Sequence, residues 1–443
     1  MSESLNVWMN GERVGTWRVD RGASSFMYAG AWLASEKVRS LSLSLPITSS
    51  SEIKGEVVAN YFDNLLPDND RIRERLSRRF RTRNAGAFSL LEAIGRDCVG
   101  AVQLLPEGVD PEGWDRLNCV PLTNRQIADL LRAIPAEPAL GIDGDDDLFR
   151  ISIAGAQEKT ALVRIDNKWY RPRGATPTTH ILKLPLGLIG GARNIDLSDS
   201  VQNEWVCARI VRALGLPVAN TEMARFGDQE VLVVERFDRE WMDGGKWIAR
   251  LPQEDFCQAL GFPPDRKYEK DGGPGMNACL KLLAGSADAE GDCLAFALAQ
   301  LCFWLLAAPD GHAKNYSLFL SQGDAYGMTP LYDILSIWPY IGNAPSQFRW
   351  RKAGLAMAMR SKNAHYAFHT IQTRHWHALA ISNGGPDVWD AMLGLVERVE
   401  PALSKVEDGL PPDFPARTWE AIAAGMRSQA RLFSLGLDQV RGE

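Results

Sequence analysis

The sequence predicts an α+β chain of two lobes: a mixed α/β N-lobe, preceded by an extra β-rich N-terminal subdomain and followed by an all-helical C-lobe. Three observations lead there. Residues 5–45 alternate polar and apolar side chains around turn signals such as Asn10-Gly11, the pattern of a hairpin or small sheet. Residues 148–240 read as short strands interrupted by one strong helix, and beyond about 250 helical spacing dominates, including 276–308 and 387–405. At 443 residues the chain exceeds one ordinary core, which suggests two or three folding units.

The first 110 residues form the expected subdomain, with 68–95 helical and then loop-like. A Pro/Gly/Asp-rich connection, Pro106 to Trp114, and an acidic stretch, Asp143 to Asp147, mark a boundary, so 111–147 reads as linker and helix. The N-lobe then spans 148–250 and the C-lobe 251–443. The helix over 197–214 opens with Ser198 as N-cap and stops at Gly215, with Pro217 beyond. The apolar run from Cys293 to Pro309 is interrupted by Gln300 and falls short of the ~20 residues a membrane span needs, so it reads as a buried core helix.

Composition narrows the function. Hydrophobic residues at 45% and charged residues at 23% fit a soluble globular protein. The net charge of -6 argues against a chain that grips nucleic acid alone, so any DNA contact needs a partner. Seven cysteines without a C-x-x-C pair fit neither a disulfide framework nor a zinc site, and Met1 to Gly15 holds no apolar signal region. The expected location is the cytoplasm, with no membrane partner.

Five elements carry chemistry. The run Ser152, Ile153, Ala154, Gly155, Ala156, Gln157, Glu158, Lys159 is a small-residue loop ahead of a strand, able to bring backbone N–H groups to phosphate oxygens. It lacks Walker spacing, and a plain hairpin turn is the competing reading. Lys183 sits inside the apolar run Ile181 to Leu184, where burial demands a carboxylate or phosphate; the competing reading is an edge-strand lysine facing solvent. Glu204 shares the apolar face of the next helix with Val201, Ala208 and Val211 and is the natural partner, although a surface glutamate would show the same spacing. Val231 to Val234, followed by Glu235, Arg236, Phe237 and Asp238, reads as a strand leaving the N-lobe, able to present backbone groups and Phe237 to adenine, with Glu235 in the ATP-facing set; many buried strands look the same. Last comes Asp310-Gly311-His312-Ala313-Lys314-Asn315, with Tyr332-Asp333-Ile334 downstream. An Asp with an Asn five residues later, then a further Asp, is the spacing of a kinase catalytic loop. Asp310 is the candidate catalytic base and Asn315 with Asp333 the candidate magnesium ligands, while His312 and Lys314 join the ATP-facing set.

These runs, together with Phe62-Asp63-Asn64-Leu65-Leu66-Pro67-Asp68, Thr176-Pro177-Thr178-Thr179-His180 and Leu251-Pro252-Gln253-Glu254-Asp255, make the sequence resemble the HipA family of bacterial toxin kinases. The resemblance implies a protein-kinase-like fold and a non-specific serine/threonine protein kinase that uses ATP and Mg2+. It implies the toxin of a toxin-antitoxin module, restrained by a HipB-like helix-turn-helix antitoxin dimer through which operator DNA is mainly contacted. It also implies phosphorylation of an aminoacyl-tRNA synthetase, typically glutamate–tRNA ligase, leading to growth arrest and persistence, and autophosphorylation at Ser152 that expels the loop. The sequence departs from eukaryotic kinases: it has no G-x-G-x-x-G, no His-Arg before Asp310, and Ile-Leu after Asp333.

Other readings stay open at this level. His365, His369, His375 and His377 have spacings compatible with a metal, but Tyr366, Phe368 and Trp376 among them suggest packed helix. Arg71, Arg73, Arg75, Arg78, Arg79, Arg81 and Arg83 suit either phosphates or a solvated helix face. A catalytically weak kinase-fold scaffold acting mainly as corepressor, or a small-molecule phosphotransferase, would use the same framework.

Overall fold

The computed structural model of the protein describes residues 3–135, 152, 154–155, 157–189 and 194–440. The chain forms two compact units, neither a single stretch: residues 1–184, 224–265 and 317–326 make the first, and 185–223, 266–316 and 327–443 the second.

The first unit begins with a five-stranded antiparallel sheet, in the order Glu52–Lys54, Ala23–Tyr28, Glu12–Asp20, Glu3–Met9, Gln103–Pro106. Its first hairpin pairs Met9 with Glu12 across Asn10 and Gly11, at φ 43° and 81°. Positive φ at both central residues is what a tight hairpin matched to strand twist requires, so the Asn-Gly signal is met. Leu5, Val7, Trp17 and Phe26 bury one face, and Trp17 stacks on Phe62 of the helix Glu56–Asp63 with ring centroids 4.1 Å apart.

The second sheet of this unit has six strands, ordered Thr221–Phe226, Gln229–Glu235, His180–Lys183, Lys159–Ile165, Lys168–Pro172, Cys119–Pro121. The helix Asn124–Ala133, started by a capping box between Thr123 and Gln126, lays Ile127, Ala128 and Leu131 against Leu162, Leu182, Val231 and Val233. A short sheet of Gln253–Asp255, Ser317–Leu320 and Tyr326–Met328 follows.

Helices dominate the second unit: Ser200–Ala213, Met276–Leu283, Ala289–Leu306, Thr373–Ser382, Pro386–Glu397, Val399–Glu407 and Ala416–Leu435. Several expectations need correction. The region 251–443 is not all helical, since it also holds the short sheet above and the hairpin Gly354–Arg360/Ala364–Ala367. The helix expected over 197–214 starts at Ser200 because Ile195–Leu197 pairs as a strand with Gly187–Ile189, and Ser198 turns back to bond Asp196. The 276–308 segment divides where Asp288 accepts from the Gly291 N–H and caps a new helix.

That helix, Ala289–Leu306, is the described helix long and apolar enough to cross a membrane. Every residue from Phe296 to Leu306 is buried within the protein, and Gln300 donates to the Tyr316 hydroxyl at 2.8 Å. It is a core helix whose buried Gln300 is satisfied.

Candidate active site

In the first unit several described residues of the small-residue loop are tied down. Ser152 is fully buried; its hydroxyl donates to the Leu65 carbonyl at 2.7 Å and its N–H to the Asp97 carbonyl at 3.1 Å. Gly155, at φ 111°, bridges in parallel to Pro67, and its carbonyl accepts from the Asp68 N–H at 3.2 Å. A plain hairpin turn would not pair with so distant a segment, and the pairing explains why the Leu65–Asp68 run accompanies the loop. Ala154 is half-buried, Gln157 Nε2 donates to the Leu184 carbonyl at 2.5 Å, and Glu158 pairs with Arg75. Ile153, Ala156 and the acidic run Asp143–Asp147 lie outside the described residues.

Lys183 is 4% exposed on a strand with neighbours on both sides, facing Lys159 across one and Leu232 across the other. The edge-strand reading therefore fails. Glu204, in the second unit, is 7% exposed among buried Val201, Ala208 and Val211, so it is no surface glutamate. A buried charge of either sign is accommodated by opposite charge or hydrogen bonds around it. Glu235 ends its strand exposed, and the Phe237 ring meets Phe319 edge-on at 5.8 Å.

The second unit brings the Asp310 run into one turn. The core helix ends at Ala307, in the left-handed region at φ 48°, and the chain reverses into Asp310. The Asp310 carbonyl then closes the loop, accepting from the His312 N–H and from Asn315 Nδ2, both at 2.8 Å. With Nδ2 so engaged, Oδ1 is the Asn315 oxygen left to meet a cation. Asp310 itself is exposed, and its carboxylate accepts from the Tyr268 hydroxyl at 2.6 Å. Tyr268 was not anticipated: it precedes Asp310 by 42 residues, and no spacing rule joins them. Its ring packs edge-on against His312 at 4.8 Å, and the Ala313 N–H donates to the Lys267 carbonyl. His312 and Lys314 are buried, the latter with its carbonyl bonded to the Tyr332 hydroxyl at 2.9 Å.

Asp333 follows Tyr332 in an irregular run and adopts φ 57°. A non-glycine residue in the left-handed region is uncommon, although aspartate enters it more readily than most, and Asp166, Asp243 and Asp324 also do so here. Asn315 and Asp333 offer the oxygen donors that suit magnesium.

Several members of the competing constellations have partners of their own. His365 stacks on His375 at 4.4 Å and His377 meets Trp389 edge-on, while burial and the neighbouring His365 push His375 down to about 4. Among the described residues no group of three metal-capable side chains is formed. Within the arginine run, Arg73 pairs with Asp63, Arg75 with Glu158, and Arg83 with Glu3 and Glu92.

The chain is similar to known proteins over most of its length. A family profile described as the HipA-like C-terminal domain matches residues 151–406, and one described as the HipA N-terminal domain matches residues 5–105. A putative kinase, Y4mE, of Sinorhizobium fredii is 38% identical over 347 residues, covering 77% of this chain and 79% of its own. The serine/threonine-protein kinase toxin HipA of Shewanella oneidensis is 29% identical over 356 residues, 76% of each chain. A solved structure of the Shewanella oneidensis HipA, HipB and operator DNA complex matches over 99% of both chains, at 25% identity and a TM-score of 0.80. With profiles for both halves of the family architecture matched in order, and relatives matched over three quarters of the chain or more, the protein belongs to the HipA family of kinase toxins.

Proposed function

We propose that the protein is an ATP- and magnesium-dependent serine/threonine protein kinase, with residues 148–250 as the nucleotide-holding lobe and 251–443 as the acceptor-side lobe. The observation that carries this reading is the Asp310–Asn315 turn, which exposes one carboxylate and fixes an amide oxygen five residues later. Asp310 orients the acceptor hydroxyl and takes its proton as the new O–P bond forms, the bond between the γ-phosphorus and the bridging oxygen breaks, and ADP leaves. Tyr268 holds the Asp310 carboxylate in place. The 152–159 loop, Lys183, His312 and Lys314 hold the nucleotide, Glu235 and Phe237 lie on its adenine side, and Glu204 supports Lys183. Asn315 and Asp333 would hold magnesium, which when bound neutralises phosphate charge.

Ser152 is the site of self-modification in this reading. Its hydroxyl now donates to a carbonyl, a position a phosphate dianion cannot occupy, so phosphorylation would drive the loop out. Growth arrest and persistence would follow from phosphorylation of an aminoacyl-tRNA synthetase, glutamate–tRNA ligase first, as the family resemblance implies. A HipB-like antitoxin dimer is the partner, supported by the composition of the Shewanella complex, and the net charge of -6 places DNA contact mainly on that dimer. Seven cysteines without a disulfide suit a reducing cytoplasm.

The test is intact mass after incubation with Mg-ATP, beside Asp310→Asn, followed by peptide mapping. One added phosphate at Ser152, absent from the mutant, is expected. The near-isosteric change should lower transfer about a hundredfold or more while the protein stays folded. Transfer retained in the mutant removes Asp310 from its role; no transfer by the wild type to itself or to tRNA synthetases favours a corepressor scaffold.

A further inference from the structure

Asp333 lies on an arc of chain fastened at both ends to the elements around the Ser200–Ala213 helix. Two residues before it, the Leu331 N–H donates to the Pro217 carbonyl and the Leu331 carbonyl accepts from the Ala219 N–H, each at 2.9 Å. Three residues after it, Ser336 exchanges two bonds with one side chain: its N–H donates to Asn203 Oδ1, and its carbonyl accepts from Asn203 Nδ2, both at 2.9 Å. Asn203 and Ser336 are both fully buried, and the Asn203 amide is further engaged by the Cys207 thiol and the Tyr340 hydroxyl. The Ser336 hydroxyl points to a third element and donates to the Leu306 carbonyl at 2.6 Å, at the end of the core helix that runs into Asp310. The next residue repeats the attachment, the Ile337 N–H donating to the Ala307 carbonyl at 3.1 Å.

We infer that Asn203 and Ser336 are positioning residues for this candidate kinase site: a buried junction that sets the Asp333 arc against both the Glu204 helix and the Asp310 loop. The inference rests on the proposed kinase reading and extends it. Asn203 precedes Glu204 on one helix, so a shift of that helix is transmitted to the arc through two hydrogen bonds. The positive φ of Asp333 is what such a fastening must maintain, because an unrestrained aspartate would relax to a commoner conformation. Two tasks are separable in the geometry. The Asn203 amide fixes the arc that presents the Asp333 carboxylate, whereas the Ser336 hydroxyl fixes the distance between that arc and the Asp310 turn.

Removal of a group that orients a metal ligand commonly costs ten- to a hundredfold in metal affinity or activity. Mn2+ serves as the probe, titrated into the full chain with a non-hydrolysable ATP analogue, with free Mn2+ read by electron paramagnetic resonance. Asn203→Ala is expected to weaken Mn2+ binding by about tenfold or more. Ser336→Ala, which keeps both backbone bonds to Asn203, should bind Mn2+ nearly as the wild type does and lose kcat instead. If Asn203→Ala does not fold, Asn203→Asp keeps the acceptor for the Ser336 N–H, loses the donor, and should show a loss in the same direction. Wild-type Mn2+ affinity in a folded Asn203 variant, even with a lowered Tm, reduces the junction to a structural tether and overturns the inference. Failure of the wild type itself to hold Mn2+ with nucleotide overturns the kinase reading beneath it.

Discussion

Gly311 shows how narrowly one residue can be specified. A Cβ at that position would lie 2.4 Å from the Phe303 ring and 2.8 Å from a second ring atom, with Phe303 itself buried in the core helix. The ring has nowhere to retreat, so a methyl group would push the turn, and Asp310 with it, away from the helix. Gly311→Ala should therefore destabilise the protein by roughly 1–3 kcal/mol and lower transfer disproportionately. Thermal unfolding and phosphorylation rates measured together decide the matter, and unchanged values for both would show that the turn has slack. The sequence offered Asp310 and Asn315 through their spacing, but not this reason for the glycine between them. Nor did it offer Tyr268, whose hydrogen bond to Asp310 joins two loops that only the folded chain brings together.

Among the elements, the buried charge cluster beneath the Ser152 loop has the largest energetic consequence. Asp97 accepts from Arg236, Arg239 and Arg250, and Asp238 from Arg236 and Arg239, with all five side chains at most 6% exposed. Burial alone would raise the Asp97 carboxyl, yet Arg239, Arg250 and Arg236 hold it well below the usual range. Burial, with Arg236 beside it, pushes Arg239 down to about 10. Thr178 joins through its hydroxyl to Asp97 at 2.7 Å, so the 176–180 run and the Asp97 segment are held as one. Asp97→Ala would leave the buried Arg250 without its carboxylate and Arg236 and Arg239 with Asp238 alone, and about 3–5 kcal/mol of stability should be lost by denaturant titration. A loss below 1 kcal/mol would mean that water compensates the arginines. Nothing in the spacing of Asp97, Arg236 and Arg250 disclosed this cluster, because its members come from four separate stretches of chain. By contrast, the Asn10-Gly11 hairpin and the apolar core helix were legible, since their signals are local and periodic. Helix boundaries were less so: the 197–214 prediction missed the strand Ile195–Leu197, which pairs with Gly187–Ile189.

For the molecule as a whole, Glu254 gives stability a pH dependence. It is fully buried in the first unit, with one carboxylate oxygen accepting from the Leu43 N–H at 2.9 Å and the other without a partner. Burial pushes it from its ordinary 4.5 up to about 8. The folded state thus prefers the protonated form, and its contribution to stability is complete below pH 4.5 and lost as pH rises through about 8. Glu254→Gln stays neutral throughout, so the Tm of the variant relative to wild type should climb across that window. A constant difference from pH 4.5 to 8 would exclude a buried protonated Glu254.

The interleaving of the two units bears on how the protein is made. The strand His180–Lys183 waits for its partner Gln229–Glu235, and Gln253–Asp255 waits for Ser317–Leu320. A nascent chain emerging from the ribosome therefore cannot close even its first unit until residue 326 has been synthesised, after most of the second unit's catalytic-loop segment has already appeared. The surroundings of Ser152 and of the Asp310 turn are thus completed late in synthesis, and for most of translation the chain exists with neither in its final setting.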